Sequence, residues 1–423
     1  MTLGAPSFAG GRPTESPQPM NAHTKRIEST ALPSVFILAF MASLGPFGDT
    51  EYTPSLPRIA QALDVPYALV QLTMTVYLAG FALGQILYGP LSDRYGRRPL
   101  ILFAISTFLV GSVTCALSTD VHVLMLGRFV QALGASAGGT ISNAAIRDAF
   151  PAEIRTRVFL KVNAIFALAP GIGPMAGAFI DHYFGWEANF WLLAILAMLL
   201  LLTLFFGFAE TNCHLNYKAM QPRELLKNYL KLLVHPDYVS YTVINGLAMG
   251  VVYGSLIEAP RLIMVELGYP SRMFVVVAIC IVAGFLAGSV ICGLLQRYMA
   301  DSKLIALGLV IMLGGSLALG WLDYAGQVSL VTSLAAISTI YVGLAFVIPV
   351  ATSLAVAPFD RIAGSASALL GSVSMALASA STLLIGQLPH DAAKSMFVAF
   401  TVLSIAGLLL TIVAMLAWGR QRW

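Results

Sequence analysis

Two carboxylates and one guanidinium stand where a largely apolar chain has little room for charge. Residues 45–54 read Gly45-Pro46-Phe47-Gly48-Asp49-Thr50-Glu51-Tyr52-Thr53-Pro54. Two acids beside a helix end loosened by Gly and Pro can take up and release protons, because burial disfavours the charged form of a carboxylate. Residues two apart point about 200° apart on a helix, so Asp49 and Glu51 are not expected to face one cavity together. The alternative is that one or both stand in solvent at the helix mouth. A second stretch reads Leu126-Gly127-Arg128-Phe129-Val130-Gln131-Ala132-Leu133-Gly134. Arg128 keeps its proton at any realistic pH, so it seeks a carboxylate, backbone carbonyls or an anionic group, or else snorkels to an interface. A charge inside a spanning helix costs about 2.5–3.5 kcal/mol on insertion scales, so each needs a reason.

Other polar groups could meet a small-molecule substrate. Glu258 precedes Ala259-Pro260 at a helix end, where it is a surface carboxylate or one facing a cavity mouth. Tyr241, Asn245 and Tyr253 share its helix; Gln71, Tyr77 and Phe81 lie on another; Gln131 follows Arg128 by three. Each could equally face lipid or a neighbouring helix. The six histidines, His23, His122, His182, His214, His235 and His390, fall in tails, loops or helix ends without ligand spacing, so no metal is expected. The cysteines Cys115, Cys213, Cys280 and Cys292 suggest neither a metal nor a disulfide. No Gly-rich loop ends in Gly-Lys-Ser or Gly-Lys-Thr, which argues against ATP as energy source. Neither an enzyme nor a cofactor is expected.

The elements that must position these groups are spanning helices. The chain has 423 residues, 58% hydrophobic and only 10% charged, with mean hydropathy +0.82. Soluble proteins carry about 25% charged residues, so the composition indicates an all-α polytopic membrane protein. Runs of the ~20 apolar residues that a span needs occur near 33–53, 68–88, 99–118, 122–145, 158–182, 190–208, 238–259, 272–295, 303–322, 328–350, 362–386 and 395–417. A polar stretch, 209–237, with Lys218, Arg223, Lys227 and Lys231, divides these twelve into six and six. The expected domains are a disordered tail (1–32), a first six-helix bundle (33–208), the linker (209–237) and a second bundle (238–419). Of the 24 Lys and Arg, 19 fall on one side, including Arg12, Lys25 and Arg26. Arg58, Arg261, Arg272 and Lys394 fall on the other, and Arg128 lies within a span. The positive-inside rule then places both termini in the cytoplasm. Charges scattered over short loops do not make a nucleic-acid-binding face.

One stretch organises the reading: Gly89-Pro90-Leu91-Ser92-Asp93-Arg94-Tyr95-Gly96-Arg97-Arg98-Pro99-Leu100. It reads as a short basic turn between two apolar runs, with Gly89 and Gly96 permitting tight backbone and close helix approach. Pro99 opens the next helix. Arg94, Arg97 and Arg98 anchor the cytoplasmic side, and Asp93 offers a counter-charge. Gly293-Leu294-Leu295-Gln296-Arg297-Tyr298 is a faint echo at the equivalent place in the second half, suggesting internal duplication. A further stretch, Ala169-Pro170-Gly171-Ile172-Gly173-Pro174-Met175-Ala176-Gly177, pairs Gly173 with Gly177 for close helix contact, while Pro174 can bend the helix.

The basic stretch resembles the signature loop of the major facilitator superfamily, Gly-x-Leu-x-Asp-Arg-x-Gly-Arg-Arg. The Arg128, Gln131 and Gly134 order resembles the superfamily's helix-4 motif, and Gly171-x-Gly173-Pro174-x-x-Gly177 that of its drug:proton antiporters. The entry at Phe359-Asp360-Arg361 and the small residues after it look like those of bicyclomycin and chloramphenicol exporters, the Bcr/CflA branch. The resemblance implies twelve transmembrane helices in two pseudo-two-fold bundles, usually monomeric, in a bacterial inner membrane. It implies export of small molecules in exchange for protons by alternating access, with Arg128 aiding proton coupling. Loops built on Asp93, Arg94 and Arg97 would latch the halves in an outward-open state. The alternative is a dedicated exporter of a siderophore, nucleoside or amino-acid derivative. Chloramphenicol-type exporters place an acid four residues before the proline corresponding to Pro54, where this chain has Thr50; Asp49 and Glu51 are five and three before it, which leaves open the proton carrier.

Overall fold

A computed structural model describes residues 32–212, 215, 222–388 and 391–418. The expected tail, with Arg12, His23, Lys25 and Arg26, lies outside the described residues, as do Cys213, His214, Lys218 and His390. The first half comprises α1 (Val35–Thr50), the short α2 (Leu56–Ala62), α3 (Tyr67–Tyr95), α4 (Arg97–Ala116), α5 (Val121–Ala149), α6 (Ala152–Phe184) and α7 (Glu187–Gly207). The linker carries α8 (Pro222–Leu233). The second half comprises α9 (Pro236–Pro260), α10 (Phe274–Leu295), α11 (Asp301–Tyr324), α12 (Leu330–Val356), α13 (Ala363–Gly386) and α14 (Ala392–Trp418). Leaving aside α2 and α8, these are six helices and six. Ten are long and apolar enough to cross a bilayer. The other two are α1, of 16 residues, and α5, whose 29 residues are rich in Gly, Ala and Ser and carry Arg128.

At the end away from the linker, the far end, four of the six reversals use a left-handed residue among the described residues: Asp64 (φ 50°), Gly185 (φ 88°), Gly268 (φ 70°) and Gly326 (φ 64°). The first span breaks after Thr50, and the chain continues through a 3₁₀ turn, Thr53–Ser55, into α2. Pro54 and Pro57 lack the N–H groups that a continuous helix would use here. Beyond α9 the backbone continues as a π-helical turn, Arg261–Glu266.

The basic stretch is not the expected turn. α3 runs through Pro90 to Tyr95 and α4 starts at Arg97, so the reversal is the single residue Gly96, at φ 96°. Pro90 removes one backbone hydrogen bond without ending the helix, as packed spans allow. Gly89 has open space where its Cβ would be, so it supports no close approach. Pro99 falls in the first turn of α4, where its missing N–H has no intrahelical partner to lose. The echo in the second half is a longer reversal without a left-handed residue: α10 ends at Leu295 and α11 begins at Asp301.

Linker polarity concealed α8. Its Leu232 is fully buried in a satellite core with Tyr238, Phe359, Leu369 and Leu370 of the second half. The halves meet along two seams, α3 against α13 and α6 against α10.

Candidate functional site

The site is built where α1 ends. Gly173 and Gly177 of α6 form a groove for that end: a Cβ on Gly173 would lie 2.4 Å from Thr50 Oγ1, and one on Gly177 1.6 Å from the Glu51 carbonyl oxygen. The close contact expected of this glycine pair is therefore made with the acid-bearing segment itself. Gly171 faces the other way, toward Val282 of α10. Pro174 does not interrupt α6, which continues to Phe184.

Arg128 is 0% exposed, which overturns the snorkelling alternative. Its guanidinium carbon lies 4.0 Å from the ring centroids of both Tyr52 and Tyr77, and Phe190 stands at 5.9 Å. Cation–π contact in a desolvated site is worth about 2 kcal/mol or more, which helps to explain how a permanent cation is held in an apolar bundle. Nη1 donates to the Gly48 carbonyl at 2.9 Å and to Gln131 Oε1 at 2.6 Å. Gln131 Nε2 donates in turn to Ser112 Oγ of α4 at 2.7 Å. Gln131 thus stands as an interior strut between α4 and α5. Tyr52 and Thr73 hydroxyls share a hydrogen bond of 3.0 Å.

Neither acid stands in solvent, contrary to that alternative: Asp49 is 4% exposed and Glu51 0%. They reach different surroundings, as two positions on one helix end dictate. Asp49 Oδ2 accepts from the Tyr253 hydroxyl of α9 at 2.8 Å, a bond between the halves, and Oδ1 has no hydrogen-bond partner. Glu51 has none on either oxygen and lies within electrostatic reach of Arg128, whose Nε and Nη2 are likewise unbonded. Tyr77 stacks on Phe81 with centroids 6.3 Å apart and donates to the Gly45 carbonyl at 3.3 Å. Tyr77 is therefore core, while Phe81 is only partly buried.

In the second half, Glu258 is fully buried, so the surface reading is corrected. Gln71 Nε2 of α3 donates to Glu258 Oε1 at 2.7 Å, the second hydrogen bond here between ionisable or amide side chains of the two halves. Asn245 is 1% exposed and donates to Thr352 Oγ1 and the Ile348 carbonyl, tying α9 to α12. Tyr241 packs against the core at partial exposure.

The basic stretch forms a brace at the linker end. Arg97 pairs with Asp93 Oδ1 at 2.7 Å and Asp148 Oδ2 at 3.0 Å, and also donates to Ser92 Oγ. The amides of Arg97 and Arg98 donate to the two oxygens of Glu210 at 2.9 and 3.0 Å, so this carboxylate caps α4 where the helix dipole favours negative charge. Arg98 Nη2 donates to the Phe205 carbonyl at 2.7 Å, and Arg94 stands over the Tyr95 ring at 5.2 Å. These partners all belong to the first half or the linker's first residues. Sequence reading missed Tyr52, Ser112, Asp148 and Glu210; the last is signalled only as the first acid after the apolar run of α7.

Residues 34–383 match the model of the Major Facilitator Superfamily. The chain is 30% identical to an uncharacterized MFS-type transporter of Bacillus subtilis, over 83% of this chain and 88% of that protein. It is 27% identical to a bicyclomycin resistance protein homolog of Haemophilus influenzae, over 86% and 91%. Identity to a chloramphenicol resistance protein of Pseudomonas aeruginosa is 29%, over 85% of each. The fold is similar to a crystal structure of a D-xylose-proton symporter at TM-score 0.75, with 17% identity, over 90% of this chain and 96% of the other. Spanning helices in two sets of six and this match make the chain a multi-pass membrane transporter of the major facilitator superfamily.

Proposed function

We propose that this protein exports small drug-like molecules in exchange for protons, with Asp49 as the group that carries the coupled proton. The observation that carries the reading is the 2.8 Å bond from Tyr253 to Asp49. It joins an acid of one half to a hydroxyl of the other, so a change of charge on Asp49 acts directly on a contact between the halves. Alternating access requires such a link between ion occupancy and domain arrangement. Names of relatives that specify bicyclomycin and chloramphenicol resistance support the substrate class.

In this reading Asp49 takes a proton from the outside as substrate leaves, and releases it to the cytoplasm to restore the substrate-binding state. Arg128, fixed between two rings, supplies a permanent positive charge, with Glu51 as its counter-charge. Gly173 and Gly177 set the position of the acids by seating the end of α1. The Asp93–Arg97–Asp148 brace keeps α3, α4 and α5 together as one body. The linker end faces the cytoplasm with both termini, in a bacterial inner membrane, and the monomer is the working unit. The two bundles, 33–208 and 238–419, move about the linker 209–237.

The test is proton release from inverted vesicles made acid inside. Addition of chloramphenicol or another lipophilic drug is expected to collapse the gradient in the unsubstituted protein. Asp49→Asn is expected to abolish that response while protein yield is kept. Normal collapse by Asp49→Asn, Glu51→Gln and the double variant would place the proton elsewhere. Response to one metabolite, and to none of several unrelated drugs, would make the protein a dedicated exporter.

A further inference from the structure

The far-end closure contains a carboxylate that the coupling scheme leaves unused. Glu258 sits one turn before the π-helical stretch, a rare local structure that recurs at functional sites. Around it the halves touch through three contacts. Gln71 donates to its Oε1 at 2.7 Å, Tyr67 donates to the Ile257 carbonyl, and the Arg261 guanidinium lies 6.0 Å from the Tyr67 ring. A Cβ on Gly386 of α13 would come 3.2 Å from Gln71 Oε1, so that amide is confined on its other side. Arg261 is shared: it lies 3.6 Å from Glu258 and 3.6 Å from Glu266. Glu266 also accepts from the Ala392 amide at 2.6 Å, with Asp323 and Asp391 near it. Glu258 Oε2 is buried without a hydrogen bond.

We propose that Glu258 is a second proton-binding site, exchanging with the outer solution, and that proton uptake there accompanies closure of the halves at the far end. When the halves part, the carboxylate loses Gln71 and gains water, which solvates its charge. When they close, it receives one neutral N–H bond and a divided share of one guanidinium. Stripping a carboxylate of water costs several kcal/mol, whereas a neutral hydrogen bond returns only about 1 kcal/mol. The closed arrangement therefore favours the protonated acid, whose added O–H supplies a donor to its surroundings. By linkage, acidity outside favours closure. A proton that enters and leaves on the same side drives no transport; it sets how often this end opens. Asp49 couples and Glu258 regulates. The inference rests on alternating access but not on Asp49 as proton carrier.

The experiment places spin labels at Gln61→Cys and Tyr269→Cys, which line one crevice between the halves at the far end, in full-length protein with its native cysteines replaced. Distances are read in lipid nanodiscs from about pH 8 to about pH 5, above the titration of an exposed carboxylate and within the range a buried one can reach. The background carries Asp49→Asn, so that a response cannot come from Asp49. The closed-to-open ratio is expected to rise on acidification by up to about tenfold per pH unit, the limit for one linked proton. Glu258→Gln is expected to stay predominantly closed and to lose that dependence. Should Glu258→Gln not fold, Gln71→Leu keeps the acid and removes a hydrogen bond made only on closure, so the closed-to-open ratio is expected to fall at every pH and closure to need a lower pH. An unchanged pH response in Glu258→Gln, an unmoved midpoint in Gln71→Leu, or one distance at every pH with Glu258 present would overturn the proposal. Failure of Asp49→Asn to change vesicle proton release would overturn the coupling scheme and leave this result standing.

Discussion

The two seams that join the halves are built from different chemistry. Along α3 and α13, Ser372 Oγ donates to the Ala82 carbonyl at 2.8 Å and Ser379 Oγ to the Thr75 carbonyl at 2.8 Å. Thr75 and Thr382 share a hydroxyl contact of 2.9 Å, and Gly371 lies against the Gln85 amide. Along α6 and α10, Gly171 meets Val282 beside an apolar crevice of about 250 Å³ lined by Leu168, Ile172, Met175, Ile279 and Leu286. Within a bilayer, lipid tails are as apolar as leucine, so apolar contacts gain little over exposure, while interhelical hydrogen bonds average about 0.6 kcal/mol. The hydroxyl seam fixes register; the apolar seam can part with small loss. Equivalent positions in two related halves thus carry unequal mechanical roles.

The largest effect is expected where α6 faces α1 rather than α10. Gly177→Ala puts a carbon 1.6 Å from the Glu51 oxygen, against backbone that cannot swing aside. Overpacking of this kind costs about 1–3 kcal/mol or more, and vesicle transport should fall to background with a lowered unfolding temperature. Ser372→Ala with Ser379→Ala should lower stability by about 1–2 kcal/mol, from two hydrogen bonds at values measured between spans. The same pair should broaden label distances across α3 and α13; unchanged distances would deny this seam its role in register. Gly171→Ala should be mildest, at most about 1 kcal/mol, because Val282 can rotate to another rotamer. A larger stability loss there than in the serine pair would reverse the ranking of the two seams.

The spans were legible because a bilayer demands long apolar runs: each of the twelve expected runs coincides with an observed helix, with ends that move by up to seven residues, as where α3 runs on to Tyr95. The helix of the first run ends at Thr50, and nothing in its apolarity signals that the chain resumes as α2. The basic stretch was misread as a turn because Gly and Pro usually mark one, whereas here Pro90 is carried within packed helix. Site residues divide by the range of their contacts. Arg128 with Gln131 is a relation of three residues on one helix, visible as spacing. Asp49 with Tyr253, or Gln71 with Glu258, depends on how two halves meet, and no local pattern encodes it. Burial of Glu258 was missed for the same reason: its cover comes from α3, nearly two hundred residues earlier in the chain.

The reversal at Gly96 has a consequence for the linker. Glu210 caps α4, and Asn212 donates to the Ser92 and Asp93 carbonyls, so the chain leaving α7 is pinned to the first half. At the other side Leu232 pins α8 into the second half. Between Asn212 and Pro222 only residues 213–221 connect the two anchors. At 3.3–3.6 Å per residue their contour is about 35 Å. Chain length alone therefore bounds the distance between the Asn212 and Leu232 anchors, whatever path those residues take.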